Sequence, residues 1–136
     1  MDKPRLLEFQ RIGNEEIGYI SVAEHENLPF VPKRFFWTYN VPEHIVRGGH
    51  AHKELEQIII AIAGKLEIKV YHKGETYEFV LDNPNVGLYL PPLSWNIIRF
   101  HEGAILFCAA SDVYKEDDYI RDFDLFMKKY FKPDES

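Results

Sequence analysis

The sequence predicts an all-β domain of the jelly-roll type, a sandwich or barrel, with one amphipathic helix at its C-terminal end. Three observations predict it. Ten short apolar-rich runs recur between turn signals, at residues 6–12, 17–23, 34–41, 45–52, 57–63, 65–71, 76–81, 86–90, 95–100 and 104–110. Inside them the apolar side chains alternate, most cleanly where Leu66, Ile68 and Val70 share one face and Glu67, Lys69 and Tyr71 the other. Beyond residue 116 the period becomes helical, with Ile120, Phe123, Phe126, Met127 and Tyr130 on one stripe.

Turn chemistry separates the runs. His72-Lys73-Gly74-Glu75 joins 65–71 to 76–81 as a hairpin, and Asp82-Asn83-Pro84-Asn85 leads into 86–90. Gly64 closes the run before it, placing His72 in a turn and His101 just beyond a strand. The spacing predicts a helix over 117–131, with Glu116-Asp117-Asp118 as its start and Lys128 and Lys129 at its end, as the helix dipole favours. The tail 132–136 reads as disordered.

Composition narrows the function classes. The 136 residues suit a single domain spanning 1–136, and 46% hydrophobic with 15% aromatic content supplies a core. Sixteen basic against 22 acidic side chains give a net charge of −6, which argues against a general nucleic-acid or anionic-membrane surface. Cys108 is the only cysteine, so neither an intrachain disulfide nor a multi-cysteine zinc site can form. Its apolar neighbours make it a small buried thiol. Met1-Asp2-Lys3-Pro4-Arg5 does not open a signal peptide, and the longest apolar run, 58–63, is too short to span a bilayer. A cytoplasmic protein is expected.

The chemistry concentrates in Arg47-Gly48-Gly49-His50-Ala51-His52-Lys53-Glu54-Leu55-Glu56. Residues two apart on a strand share a face, so His50 and His52 point the same way, and Glu56 joins them if the strand continues. Two histidines turned into a barrel are costly as core, because each ring nitrogen needs a partner. Strict alternation puts Arg47 on the other face, so it reaches the histidines only through a bulge at Gly48-Gly49.

His50, His52, Glu56 and Gly64 match the first motif of the cupins. The second cupin motif normally ends in a histidine that completes a metal site; the corresponding Pro91-Pro92-Leu93-Ser94-Trp95-Asn96 has none. A metal-free site with no cofactor is therefore expected over a metal-dependent oxygenase. Lys33-Arg34-Phe35-Phe36, the Arg47–Lys53 stretch, Gly87-Leu88-Tyr89-Leu90-Pro91-Pro92 with Trp95, Ala110-Ser111-Asp112 with Tyr114, and Asp118-Tyr119-Ile120-Arg121-Asp122 together resemble the nucleotide-sugar 3,4-ketoisomerases of the WxcM-like cupins. The likeness runs from about Ile17 to the C-terminal helix.

That resemblance implies a homodimer that exchanges N-terminal strands. It also implies a dTDP-4-oxo-6-deoxyhexose substrate, and products used for the amino sugars of surface polysaccharides. It implies His50 as the base, with His52 shuttling a proton or polarising an oxygen; Arg47 would stabilise charge on the sugar oxygen. Substrate-binding positions would be Lys33, Arg34, Phe36, Tyr39, Glu56, Trp95, Asn96, Arg99 and Ile17, with Lys33, Arg34 and Arg99 offering positive charge to a pyrophosphate. The chain departs from the family at three of these. Phe36 stands where a catalytic tyrosine is usual, Ile17 where Arg or Tyr is usual, and Asn96 where Arg or His is usual; the last two bear on product stereochemistry. A cupin that binds nucleotide sugars without turnover is the alternative those departures favour.

Overall fold

A computed structural model describes residues 2–133. Ten strands and one helix follow in order: β1 Arg5–Glu8, β2 Gln10–Asn14, β3 Gly18–Val22, β4 Arg34–Thr38, β5 Val46–His52, β6 Gln57–His72, β7 Glu75–Leu81, β8 Val86–Leu90, β9 Trp95–Ala110, β10 Tyr119–Ile120 and α1 Phe123–Lys129. The cupin jelly roll expected from the sequence is the fold observed.

Two long strands organise it. β6 and β9 each run 16 residues and pair antiparallel along most of their length. The first half of β6 also pairs with β8 and the second half with β7. Likewise β9 takes β5 on its first half and β4 on its second. Each long strand therefore passes from one sheet to the other. β1 extends the β8 edge and β10 the β5 edge, while β2 and β3 form a separate hairpin.

The bend explains one miss in the sequence reading. Runs 57–63 and 65–71 are one strand, as are 95–100 and 104–110. Gly64 does not end β6 but turns it, with φ +68° and register shifts between Ala61 and Ala63 and between Ala63 and Lys65. A Cβ there would lie 2.5 Å from the Ala104 Cα, so a side chain would push the two long strands apart at the corner. His72 and His101 consequently lie in strands, not beside them. In the opposite sense, run 6–12 is broken into β1 and β2 at Phe9, which is buried against Ile58 and Tyr89.

Between the two sheets lies a core of Ile59, Leu66, Ile68, Val70, Leu81, Leu88, Leu90, Ile98, Phe100, Leu106 and Cys108. Each such large side chain contributes roughly 1.5–3 kcal/mol by leaving water. The alternation read from the sequence decides membership, since Glu67, Lys69 and Arg99 point outward from the same strands.

The helix is shorter than its sequence period suggests. Asp118 is tied to the segment after β5, and Tyr119 and Ile120 pair with His52 and Ala51 as β10. Ile120 is thus buried from a strand, and residues 116–118 form a 3-10 turn. α1 is capped by Asp122, whose side chain accepts from the Leu125 amide at 3.1 Å. No helix among the described residues is long and apolar enough to cross a membrane. Of the tail expected to be disordered, 134–136 lies outside the described residues.

Candidate active site

The site is built where β5 meets the first half of β9. Gly48 has φ +81°, and the ladder shifts between Gly48 and His50. A Cβ on Gly48 would stand 2.7 Å from the Asn96 carbonyl oxygen, so only glycine lets β5 approach β9 here. The bulge has the consequence that alternation alone forbids: Arg47 and His50 line the same cavity.

That cavity, of about 80 Å³, has two kinds of wall. Arg47, His50, Gln57, Asn96 and Thr38 supply polar atoms. Phe36, Ile59, Ile98, Phe100, Leu106 and Cys108 supply an apolar floor. Asn96 stands opposite His50 in register and is 3% exposed. The Cys108 thiol is pushed up to about 12 by burial and so stays protonated and unreactive.

His52 shares the face of His50 but sits deeper, at 4% exposure. The two rings meet edge to face with centroids 5.1 Å apart, and Tyr119 packs on both, at 5.1 Å from His50 and 4.3 Å from His52. Burial lowers both pKa values. For His50 the Arg121 charge adds to burial, and the Gly48 carbonyl opposes it. For His52 burial and the neighbouring His50 bring the value to about 4. Both rings are therefore neutral near pH 7, the state that can accept a proton.

The other expected residues divide. Arg34 is half-buried, its guanidinium 5.4 Å from the Phe36 ring and 5.8 Å from that of Tyr114; its Nε has no hydrogen-bond partner among the described residues. Arg34 thus stands beside Phe36, a residue of the cavity wall. Lys33 is exposed beside it.

Five expectations place differently. Trp95 faces away from the cavity and packs under α1, 5.1 Å from Phe123 and 5.5 Å from Phe126. Arg99 lies on the outer sheet face opposite Val46 and Glu67, because its neighbours Ile98 and Phe100 take the inner positions. Tyr39 is 58% exposed on the outside, beside Trp37. β5 ends at His52, so Glu56 leaves the histidine face; its carboxylate accepts from the Tyr89 hydroxyl at 2.6 Å. Ile17, at the tip of the β2–β3 hairpin, is 80% exposed and lines no part of this chain's cavity.

Asp118 and Tyr119 belong to a stretch that carries the family resemblance but were given no place at the site. Asp118 read as part of a helix start and Tyr119 as helical, whereas the chain around β10 sets both against the histidines. Among the described residues no group of three or more His, Cys, Asp or Glu side chains is arranged to hold a metal ion.

Comparison with known proteins agrees with this fold. The model of the family FdtA (WxcM-like, C-terminal) matches residues 2–130. A TDP-4-oxo-6-deoxy-alpha-D-glucose-3,4-oxoisomerase of Aneurinibacillus thermoaerophilus is 34% identical, over 91% of this chain and 90% of its own. A 3,4-ketoisomerase from Helicobacter canadensis superposes with TM-score 0.86 at 35% identity, covering 92% of this chain and 95% of its own. A histidine-to-asparagine variant of QdtA, the 3,4-ketoisomerase of Thermoanaerobacterium thermosaccharolyticum, is in complex with TDP-4-keto-6-deoxyglucose. It superposes with TM-score 0.87 at 33% identity over 93% of both chains.

Proposed function

Because the chain belongs to the FdtA family of WxcM-like proteins, we propose that it is a sugar-nucleotide 3,4-ketoisomerase acting on a dTDP-4-oxo-6-deoxyhexose. The observation that carries this reading is the neutral His50 at a glycine bulge, facing one cavity with Arg47 and Asn96.

The ketone at C4 acidifies the hydrogen on C3. His50 takes that proton, and the electron pair left behind forms the C3–C4 enediolate. Arg47 donates to the oxygen on which charge grows. Returning the proton to C4 leaves the new ketone at C3, provided the proton on O3 passes to O4. His52 serves that second transfer. Positioned proton transfer of this kind contributes roughly 100- to 10,000-fold in rate. Phe36 brings no hydroxyl to the cavity, so proton movement falls to the histidines.

A cavity of about 80 Å³ receives part of a sugar and no nucleotide. The nucleoside diphosphate therefore lies at the rim, where Arg34 and Lys33 offer positive charge. A homodimer is part of this reading, because among the described residues the hairpin pairs only with itself and exposes Ile12, Ile17 and Ile20, and the outer face of β4 exposes Phe35 and Trp37. Exchange of N-terminal strands would carry Ile17 towards the partner's sugar. The enzyme works in the cytoplasm, on the way to deoxyamino sugars of lipopolysaccharide O-antigen and related surface polysaccharides.

Incubation with dTDP-4-oxo-6-deoxyglucose in deuterated water, followed by NMR, tests the reading. A 3-keto product carrying deuterium at C4 is expected. Nucleotide-sugar binding with neither exchange nor product would make the protein a binding cupin instead.

A further inference from the structure

Building on the isomerase reading of this cavity, we propose that Asp118 is a positioning residue: its carboxylate holds the His52 proton on Nδ1 and leaves Nε2 as the ring's acceptor.

The carboxylate is fixed before any substrate arrives. Asp118 Oδ1 accepts from the Glu54 amide at 2.9 Å and Oδ2 from the Leu55 amide at 3.2 Å. Its own carbonyl accepts from the Lys53 amide at 2.9 Å. These three amides belong to the residues that directly follow His52, so Asp118 and His52 are held to one short stretch of backbone. Oδ2 then stands 3.5 Å from His52 Nδ1.

A neutral imidazole has one N–H and one lone pair. With the proton on Nε2, the Nδ1 lone pair would face a carboxylate lone pair at that distance, in a site shielded from water. With the proton on Nδ1, the same contact is attractive. At 3.5 Å it falls short of hydrogen-bond geometry, and neither ring nitrogen of His52 meets that geometry with any described residue. Catalytic contacts are often long in a free enzyme and tighten around substrate. Packing of Tyr119 on the ring limits its rotation.

The two histidines are thereby given different tasks. His50 has a backbone carbonyl, that of Gly48, favouring its proton. His52 has a full negative charge, which stabilises an imidazolium formed when Nε2 takes a proton. That suits a ring that takes up and gives back a proton in the second transfer.

Nitrogen NMR of the intact protein labelled at histidine reads the tautomer directly. The His52 pattern is expected to be Nδ1–H, and a dominant Nε2–H form in the wild type would overturn the proposal. Asp118→Asn removes the negative charge beside Nδ1, so the preference for Nδ1–H should weaken. kcat should then fall by at least about 10-fold and at most roughly 10,000-fold, the loss when the carboxylate behind a catalytic histidine becomes an amide, with KM unchanged. A loss confined to KM or to melting temperature would mean a purely structural Asp118. If the variant does not fold, the wild-type tautomer alone decides. An inactive wild type would defeat the isomerase reading while the tautomer measurement still judged the pair.

Discussion

Trp95 and Asn96 are neighbours on β9, yet they enter parts of the molecule built on opposite terms. Trp95 closes a cluster with Ala51, Ile120 and Phe126, all buried and all apolar, beneath α1. Asn96 turns to the other side, into a wall with His50, Gln57 and Arg47. The capped end gains stability from hydrophobic burial, which is non-directional and needs no partners. Beside that wall, buried nitrogens of His52 and Arg34 lack a hydrogen-bond partner among the described residues, a cost of about 1–3 kcal/mol for each group left unsatisfied. Natural packing tolerates that cost where the polar atoms have a use. The contrast thus assigns stability to one end of the barrel and chemistry to the other.

Three measurements can break that division. The largest effect is expected at the cavity. His50→Asn should lower turnover roughly 100- to 10,000-fold, because a positioned base is lost. Its melting temperature should stay within a few degrees of wild type, since the ring faces a cavity and no large void opens. Unchanged deuterium exchange at C3 of the keto-sugar would move the base elsewhere.

Phe126→Ala should behave in the reverse way. Its ring is fully buried against Trp95, Tyr130 and Phe131, so truncation should cost about 3–5 kcal/mol in denaturant unfolding. kcat per folded molecule should hold. A drop in kcat as large as that of His50→Asn would erase the distinction between the two ends.

The smallest effect is a pH dependence of stability. His52 titrates near 6.5 when unfolded and at about 4 in the folded protein, because burial disfavours its charged form. Below pH 6.5 the unfolded chain therefore binds the extra proton. Stability should be level above that pH and fall progressively towards pH 4, by about 3 kcal/mol in all from this group. His52→Asn should flatten that slope. An unaltered slope in the variant would place the acid sensitivity in other groups.

Much of the site was legible because alternation is a local property. His50 and His52 share a face in the sequence and in the fold, and the Arg47 role named its own condition, a bulge at Gly48-Gly49 that β5 contains. Trp95 could not be placed in the same way. Its position one residue before Asn96 puts it on the opposite face, and what covers that face is α1, which is distant in sequence. Arg99 and Tyr39 lie on outer faces, because charge and hydroxyl content say nothing about which side of a sheet faces inward. Asp118 was named in the sequence but read into a helix start, because the helical period from Ile120 to Tyr130 continues N-terminal to the helix itself.

By itself the sequence determined the class of fold, the strand faces and the histidine pair, since each follows from side-chain spacing within a few residues. The tertiary structure decided what spacing cannot encode. It joined four of the sequence's runs into two long strands, because Gly64 is a corner and not an end. It also drew Asp118 and Tyr119 onto β5 through a two-residue pairing too short to leave a periodic signal. Contacts between segments more than 60 residues apart depend on how loops close and which surfaces bury one another, and those are properties of the whole chain.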